Sequence, residues 1–408
     1  SAKGSYARGR LMNLETASLH RVEPPCPYFA RARNACGGCQ WQHLEYPEQL
    51  RAKRAILVNA LQRIGGVVDA DTLTADCVAS PHTFAYRNKA DYAVGVEEQG
   101  GADSIRVGFS ERESHRLVDI AHCPIQQEAN NAILSAVRAA IAAGLVEPFN
   151  ATTGTGILRR IVARVSTSGE CLVSAVTTRA EWKQEREFAL FLQMHVPHLV
   201  GVLRRKPRES EALLATPAAR DWLQESVGGL ELRVRGEGFF QVNSSLAPML
   251  LQTALQAADV RSGQNALDLF CGVGLFALGM ARCGANVVGI ERSRRAIEDA
   301  RGNTKRNGLD AEFHDGDAAA ILRRLPRRRW DVVLLDPPRA GAAEALEPIV
   351  ELRAPRIVYV SCDPATLARD VKTLHASGYR LCSATPLDLF PQTAHVETVA
   401  RFELSATA

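Results

Sequence analysis

The chain has no apolar run long enough to cross a membrane, since no stretch approaches ~18 uncharged apolar residues. Its opening residues, SAKGSYARGR, lack the apolar core of a secretory signal. It carries no internal repeat and no low-complexity tract. Lysine is scarce: of 49 basic residues seven are Lys and 42 are Arg. Arginine binds phosphate in a planar, bidentate way, so the bias suits RNA or DNA, although a GC-rich genome produces the same bias. The local clusters are Arg204-Arg205-Lys206 with Arg208, and Arg323-Arg324 with Arg327-Arg328-Arg329; each alone is an ordinary solvated face. The ten cysteines form no disulfide framework, because 408 residues bury a core without staples. Six of them, Cys77, Cys171, Cys271, Cys283, Cys362 and Cys382, are scattered. Hydrophobic residues at 46% and charged residues at 23% exclude wholesale disorder and predict a soluble globular protein. The length suits about two or three domains.

Residues 1–22 are basic and polar and read as one or two strands. The segment 23–39 is loop, rich in Pro, Gly and Cys. A helix is predicted from Pro47 to Ile64, where Gly65-Gly66 stops it. Alternation from Phe84 to Val118 predicts antiparallel strands. A helix over 126–143, a hairpin over 157–178 and a helix over 180–194 complete an α+β region. After residue 236 the pattern changes. Following a helix at 244–258, short apolar strands at 266–270, 286–291, 331–336 and 356–362 alternate with helices. Continuous apolar runs suit strands buried on both faces of a parallel sheet, so this part is α/β and doubly wound. The tail adds two strands with an antiparallel finish. The division is 1–22, 23–235 and 236–408.

The first of these strands turns into a helix through Asp268-Leu-Phe-Cys-Gly272-Val-Gly274. The glycines allow a tight turn and a close ligand. Ala277 stands where a GxGxxG loop has its third glycine, so a pyrophosphate fits poorly and S-adenosylmethionine (SAM) fits better. Glu291 ends the second strand, where an acid accepts hydrogen bonds from a ribose diol. Asp317 follows the third and is placed to meet an adenine. Asp336-Pro337-Pro338-Arg339 ends the fourth, without the aromatic that amino-group methyltransferases carry after the prolines. Cys362 ends the fifth, at a helix N-terminus that favours its thiolate, while Asp363 opposes this. Alone it reads equally as an ordinary strand-end cysteine. Glu397, on the last strand, adds a carboxylate able to act as a base, or one on an exposed edge. Together Cys362 and Glu397 match one chemistry. A thiolate adding to carbon 6 of uracil activates carbon 5, and a base then removes the carbon 5 proton.

The chain from residue 236 resembles the RNA uracil-5-methyltransferase family, which uses SAM. The matching pieces are FFQVNSS, LDLFCGVGLFAL, LLDPPRAG, VYVSCDPATLARD and DLFPQTAHVET. The resemblance implies a Rossmann-like SAM methyltransferase domain, Cys362 as nucleophile and Glu397 as base. It also implies SAM contacts from Gln241, Phe270, Glu291, Asp317 and Asp336. CPYFARARNACGGCQWQHL and the HCP at 122–124 resemble the cluster loop of the family's iron–sulfur branch. This implies that Cys26, Cys36, Cys39 and Cys123 hold a [4Fe–4S] cluster, with a four-cysteine zinc site as the alternative. Residues 1–22 resemble the end of a TRAM β-barrel, and YRNKADY also matches, with Arg87 and Lys89 as RNA contacts. The expected protein is a cytoplasmic, monomeric enzyme without membrane contact that makes 5-methyluridine in RNA. The cysteine loop and TRAM-like stretch point to 23S rRNA. The alternatives are an RNA cytosine-5 methyltransferase and a non-catalytic RNA-binding or ribosome-assembly factor.

Overall fold

The computed structural model describes residues 2–3, 6–7, 13–29, 35–99, 102–214, 219–236, 238–326 and 328–405. Residues 1, 4–5 and 8–12 of the TRAM-like opening stretch and Arg327 of the second basic cluster lie outside the described residues. No helix among those described is long and apolar enough to cross a membrane.

Two short strands, β1 (Ala2–Lys3) and β2 (Tyr6–Ala7), pair at the start. Helix α1 (Tyr46–Arg63) has Pro47 in its first turn, where a missing N–H costs nothing. The short α2 (Ala70–Leu73) follows. The central sheet comprises β3 (Lys89–Gln99), β4 (Ala102–Ser110), β5 (Leu117–Asp119), β6 (Leu158–Val165), β7 (Cys171–Thr177), β8 (Leu199–Arg205) and β9 (Ala212–Leu213). Their order is β5-β4-β3-β6-β7-β8-β9, antiparallel except between β7 and β8. Helices α3 (Glu128–Ala142) and α4 (Glu185–His195) cover one face. Alternation explains why. Ala90, Tyr92 and Val94 of β3 are buried toward those helices, whereas Lys89 and Asp91 point the other way.

A hairpin, β10 (Trp222–Val227) and β11 (Leu230–Arg235), turns through Gly228 and Gly229. Both have positive φ, 55° and 80°, as a tight hairpin turn demands. After α5 (Ala247–Ala258) come β12 (Asn265–Leu269), α6 (Leu275–Arg282), β13 (Asn286–Glu291), α7 (Arg294–Arg306), β14 (Glu312–Asp315), α8 (Ala318–Leu322) and β15 (Val332–Leu335). Then follow α9 (Ala343–Glu351), β16 (Arg356–Ser361), α10 (Pro364–Ala376), β17 (Tyr379–Leu387) and β18 (Glu397–Leu404). The sheet runs β14-β13-β12-β15-β16-β18-β17. Its first five strands are parallel and the last two antiparallel. The apolar run Val332–Leu335 is fully buried between helices on both faces. This is the doubly wound, Rossmann-like methyltransferase sheet that the sequence predicts.

Two stretches from before residue 236 pack on this C-terminal sheet. Leu57, Val58 and Leu61 of α1 join its core on one face. Val227, Leu230, Leu232 and Val234 of the hairpin join it on the other. The loop between β17 and β18 is held by the same N-terminal segment. The fully buried Lys53 ammonium pairs with the Asp388 carboxylate and donates to the Phe390 carbonyl at 3.0 Å.

Candidate active site

Turns at the carboxyl ends of the parallel strands gather most of the residues that the sequence singles out. Phe270 follows β12 with φ of 62°, a left-handed backbone that a bulky residue rarely adopts. Gly272 comes next, also at positive φ, and a side chain there would meet only open space. The loop thus presents bare backbone to a cleft. Asp268 anchors it from below, with Oδ2 accepting from the Ala277 N–H at 2.7 Å. Its Oδ1 is buried with no partner. Glu291, at the end of β13, accepts from Gly272 N–H at 3.3 Å and Ser293 N–H at 2.8 Å. Asp317 caps α8 by accepting from Ala320 N–H at 3.0 Å, so one of its oxygens is engaged locally.

Across the sheet, β15, β16 and β18 end side by side. Ser361 pairs with Thr398, so the next step of this ladder brings Cys362 opposite Glu397. Asp336 sits at the end of neighbouring β15, and the buried Gln241 amide donates to its Oδ2 at 3.4 Å. Asp363 is the N-cap of α10, accepting from Thr366 N–H at 2.9 Å. Cys362 therefore stands just before the helix, as expected, but the dipole does not decide its charge. Burial comes first and pushes the thiol up to about 11, and the Glu397 and Asp336 carboxyls add to this. The Arg339 guanidinium hydrogen-bonds the sulfur and opposes them. Burial also raises Glu397 well above the carboxylate range, and Asp336 to about 7. Asp268 is raised by burial too, with Asp336 and Glu291 adding negative charge. The cleft is thus lined by several carboxyl groups, those of Asp268, Glu291, Asp336 and Glu397.

The four N-terminal cysteines come together elsewhere. Cys26, Cys36, Cys39 and Cys123 are free thiols lining one cavity of about 320 Å³, which Arg339, Phe390 and His395 also line. Burial raises all four, Cys39 to about 12 and Cys123 to about 11, and the neighbouring thiols raise Cys36, Cys39 and Cys123 further. No group of three or more His, Cys, Asp or Glu among the described residues could hold a single metal ion as placed. The loop continues into Gln40 and Trp41, whose N–H groups donate to the Gln392 carbonyl at 3.1 and 3.0 Å.

A family model described as tRNA (Uracil-5-)-methyltransferase matches residues 45–313, and a methyltransferase-domain model matches residues 260–403. The chain is 36% identical over 411 residues to an uncharacterised RNA methyltransferase of Gloeobacter violaceus, covering 99% of this chain and 87% of that protein. A counterpart from Halalkalibacterium halodurans is 33% identical over 412 residues, at 98% and 88% coverage. The chain belongs to the tRNA (uracil-5-)-methyltransferase family. Among solved structures it is similar to Pyrococcus abyssi tRNA (uracil-54, C5)-methyltransferase in complex with S-adenosyl-L-homocysteine. The TM-score is 0.72 and the identity 28%, over 96% of this chain and 88% of that one. The family makes the protein a SAM-dependent RNA uracil-5-methyltransferase, and the non-catalytic and cytosine readings fall away.

The sequence reading missed the position of Arg339. It treats this residue only as the absence of an aromatic, yet the guanidinium hydrogen-bonds the thiol and its charge acts on the Glu397 carboxyl of this uracil-5-methyltransferase. The visible signal was a charge directly after two prolines at a strand end. It also missed Lys53 and Asp388, whose pairing spans 335 residues and leaves no local pattern.

Proposed function

We propose that the chain methylates carbon 5 of a uridine in 23S rRNA through a covalent adduct with Cys362, Glu397 serving as base. The observation that carries this is the pairing of β16 and β18, which brings Cys362 opposite Glu397, with the Arg339 charge acting on both. The Cys362 thiol first gives its proton to solvent water, and the Arg339 charge favours the thiolate. Its sulfur bonds carbon 6, and the electron pair of the 5,6 double bond becomes available at carbon 5. SAM, when bound, supplies the methyl group. Glu397, once ionised with the help of the Arg339 charge, takes the carbon 5 proton, the double bond re-forms, and the carbon–sulfur bond breaks to return the thiolate. Gln241, Phe270, Glu291, Asp317 and Asp336 would hold SAM. Its sulfonium suits the acid-rich cleft, and the bare backbone at Gly272 leaves it room.

Cys26, Cys36, Cys39 and Cys123 would hold a [4Fe–4S] cluster. One zinc at ~2.3 Å from each sulfur draws four thiolates onto a single point. A cluster with an iron for each cysteine spreads them around a larger body. Four thiols lining one cavity support a thiolate-held group there.

A second substrate reading, transfer RNA, is favoured by the Pyrococcus abyssi enzyme, which is named for it. Nucleoside mass spectrometry tests both. Unmodified 23S rRNA and unmodified tRNA are each incubated with anoxically purified protein and SAM, and 5-methyluridine is expected in the rRNA. Product in tRNA alone transfers the assignment to tRNA, and product in neither overturns it. Cys362→Ala should abolish product, and Glu397→Gln should accumulate a protein–RNA adduct on denaturing gels. Wild-type turnover by Cys362→Ala would falsify the covalent route.

A further inference from the structure

The face of the central sheet turned away from α3 and α4 carries an unusual group of cations. β3 and β6 are in register with Lys89 directly opposite Arg164, a like-charge pair that ordinarily destabilises a sheet. Arg205 ends β8 on the same face, in line with Arg160 through Val176. Three acids stand nearby, Asp91, Glu211 and Glu225, and the last two favour the Arg164 charge. Asp91 is engaged in a two-pronged pair with Arg160. Glu211 and Asp91 favour the Lys89 charge, but Arg164 and Arg205 oppose it, and burial opposes it most. Glu225, which faces Arg164, is itself pushed up to about 7 by burial. Neither the Lys89 ammonium nor the Arg205 guanidinium has a hydrogen bond or ion pair among the described residues. Arg164 is buried, at 3% exposure, and its Nε has no partner.

The group adjoins the cleft. Arg164 donates to the Gly238 carbonyl at 2.5 Å. The next residue, Phe239, is 66% exposed, and Gln241 two residues later reaches Asp336. From the other side, Asn88, immediately before Lys89, donates to the Gln241 and Val242 carbonyls, both at 2.9 Å.

We propose that Arg164 and Arg205 join Lys89, already an expected RNA contact, in a slot for a backbone phosphodiester of the substrate RNA beside the target uridine. A phosphate has the charge and the acceptor oxygens that the Lys89 ammonium and the Arg205 guanidinium, neither of them hydrogen-bonded, can take up. Arg164 is held by Gly238 and aims the slot, while Lys89 and Arg205 supply the free donors. The slot lies where the chain flanking an extruded base must turn, since the uracil has to leave its stack to reach Cys362.

The inference rests on the RNA-methylating reading, and the test separates the two. Dissociation constants of wild type, Lys89→Met, Arg205→Gln and the double variant are measured against unmodified 23S rRNA and tRNA transcripts over a range of KCl. SAM affinity is measured alongside as a check on the fold. Each single variant should weaken binding of the substrate RNA about tenfold at low salt. The double variant should flatten log K against log salt by about 0.7–0.9 per lost contact. Lys89→Arg should restore binding, and SAM affinity should stay unchanged. Variants that bind RNA with wild-type affinity and slope overturn the slot and leave the methylation reading standing. A wild type that binds and methylates neither RNA overturns both.

Discussion

Cys362 sits in two opposing fields. The start of α10 and Arg339 favour the thiolate, while burial and the Glu397 and Asp336 carboxyls oppose it, and the opposing side wins at about 11. The resting group is therefore a thiol, and the rate of adduct formation should follow the small thiolate fraction. Below its pKa that fraction rises tenfold per pH unit, so the rate should climb as pH rises. In the Glu397→Gln background, where adduct accumulates, log rate between pH 6.5 and 8.5 should have a slope of about +1. A flat profile would show a thiolate already formed at rest. Cys362 was legible in the sequence because its chemistry depends on position, at a strand end before a Pro-initiated helix. Its ionisation was not legible, because the groups that set it lie at the ends of other strands. Asp317 illustrates the same limit: its position after β14 is visible in the sequence, whereas its engagement as the cap of α8 depends on geometry.

At the scale of elements, apolar runs and turn residues carried most of the fold. β13 spans the predicted residues 286–291, and α1 starts and ends within a residue of its expected limits. What an element packs against was less visible. α1 precedes the central sheet in the chain yet buries Leu57 and Leu61 in the C-terminal core, because its apolar stripe matches either neighbour. Lys53, on the same helix, decides the matter by pairing with Asp388 where both are wholly buried. Removing one partner strands a charge in the interior. Lys53→Met should cost about 3–5 kcal/mol in urea unfolding, and adding Asp388→Asn should recover most of it. A single variant within about 1 kcal/mol of wild type would mean that the pair is dispensable.

Across the whole molecule, the cysteine loop and the catalytic strand are mechanically continuous. Cys39 leads into Gln40 and Trp41, which both donate to the Gln392 carbonyl, and the Gln40 side chain accepts from Ala394 N–H at 3.3 Å. Gln392 also exchanges two hydrogen bonds with the buried Gln49, at 2.9 and 3.0 Å, and holds a positive φ of 69° that these contacts enforce. Three residues further on stands His395, and then comes Glu397. Whatever orders Cys36 and Cys39 therefore orders the segment that leads into Glu397, the proposed base. With a cluster bound, four thiols that burial otherwise keeps protonated become ligands, and the loop is tied at four points. Stripping iron under anoxic chelation should leave the parallel sheet intact but raise amide hydrogen exchange across 390–396. Exchange in β12 and β13 should stay unchanged, since neither touches the cysteine cavity. Methylation should fall in step with the exposure of 390–396, because a base on a loosened segment spends less time against carbon 5. Exchange in 390–396 that is the same with and without iron would show that the hydrogen bonds to Gln392 hold without the cluster, and that the two sites are independent.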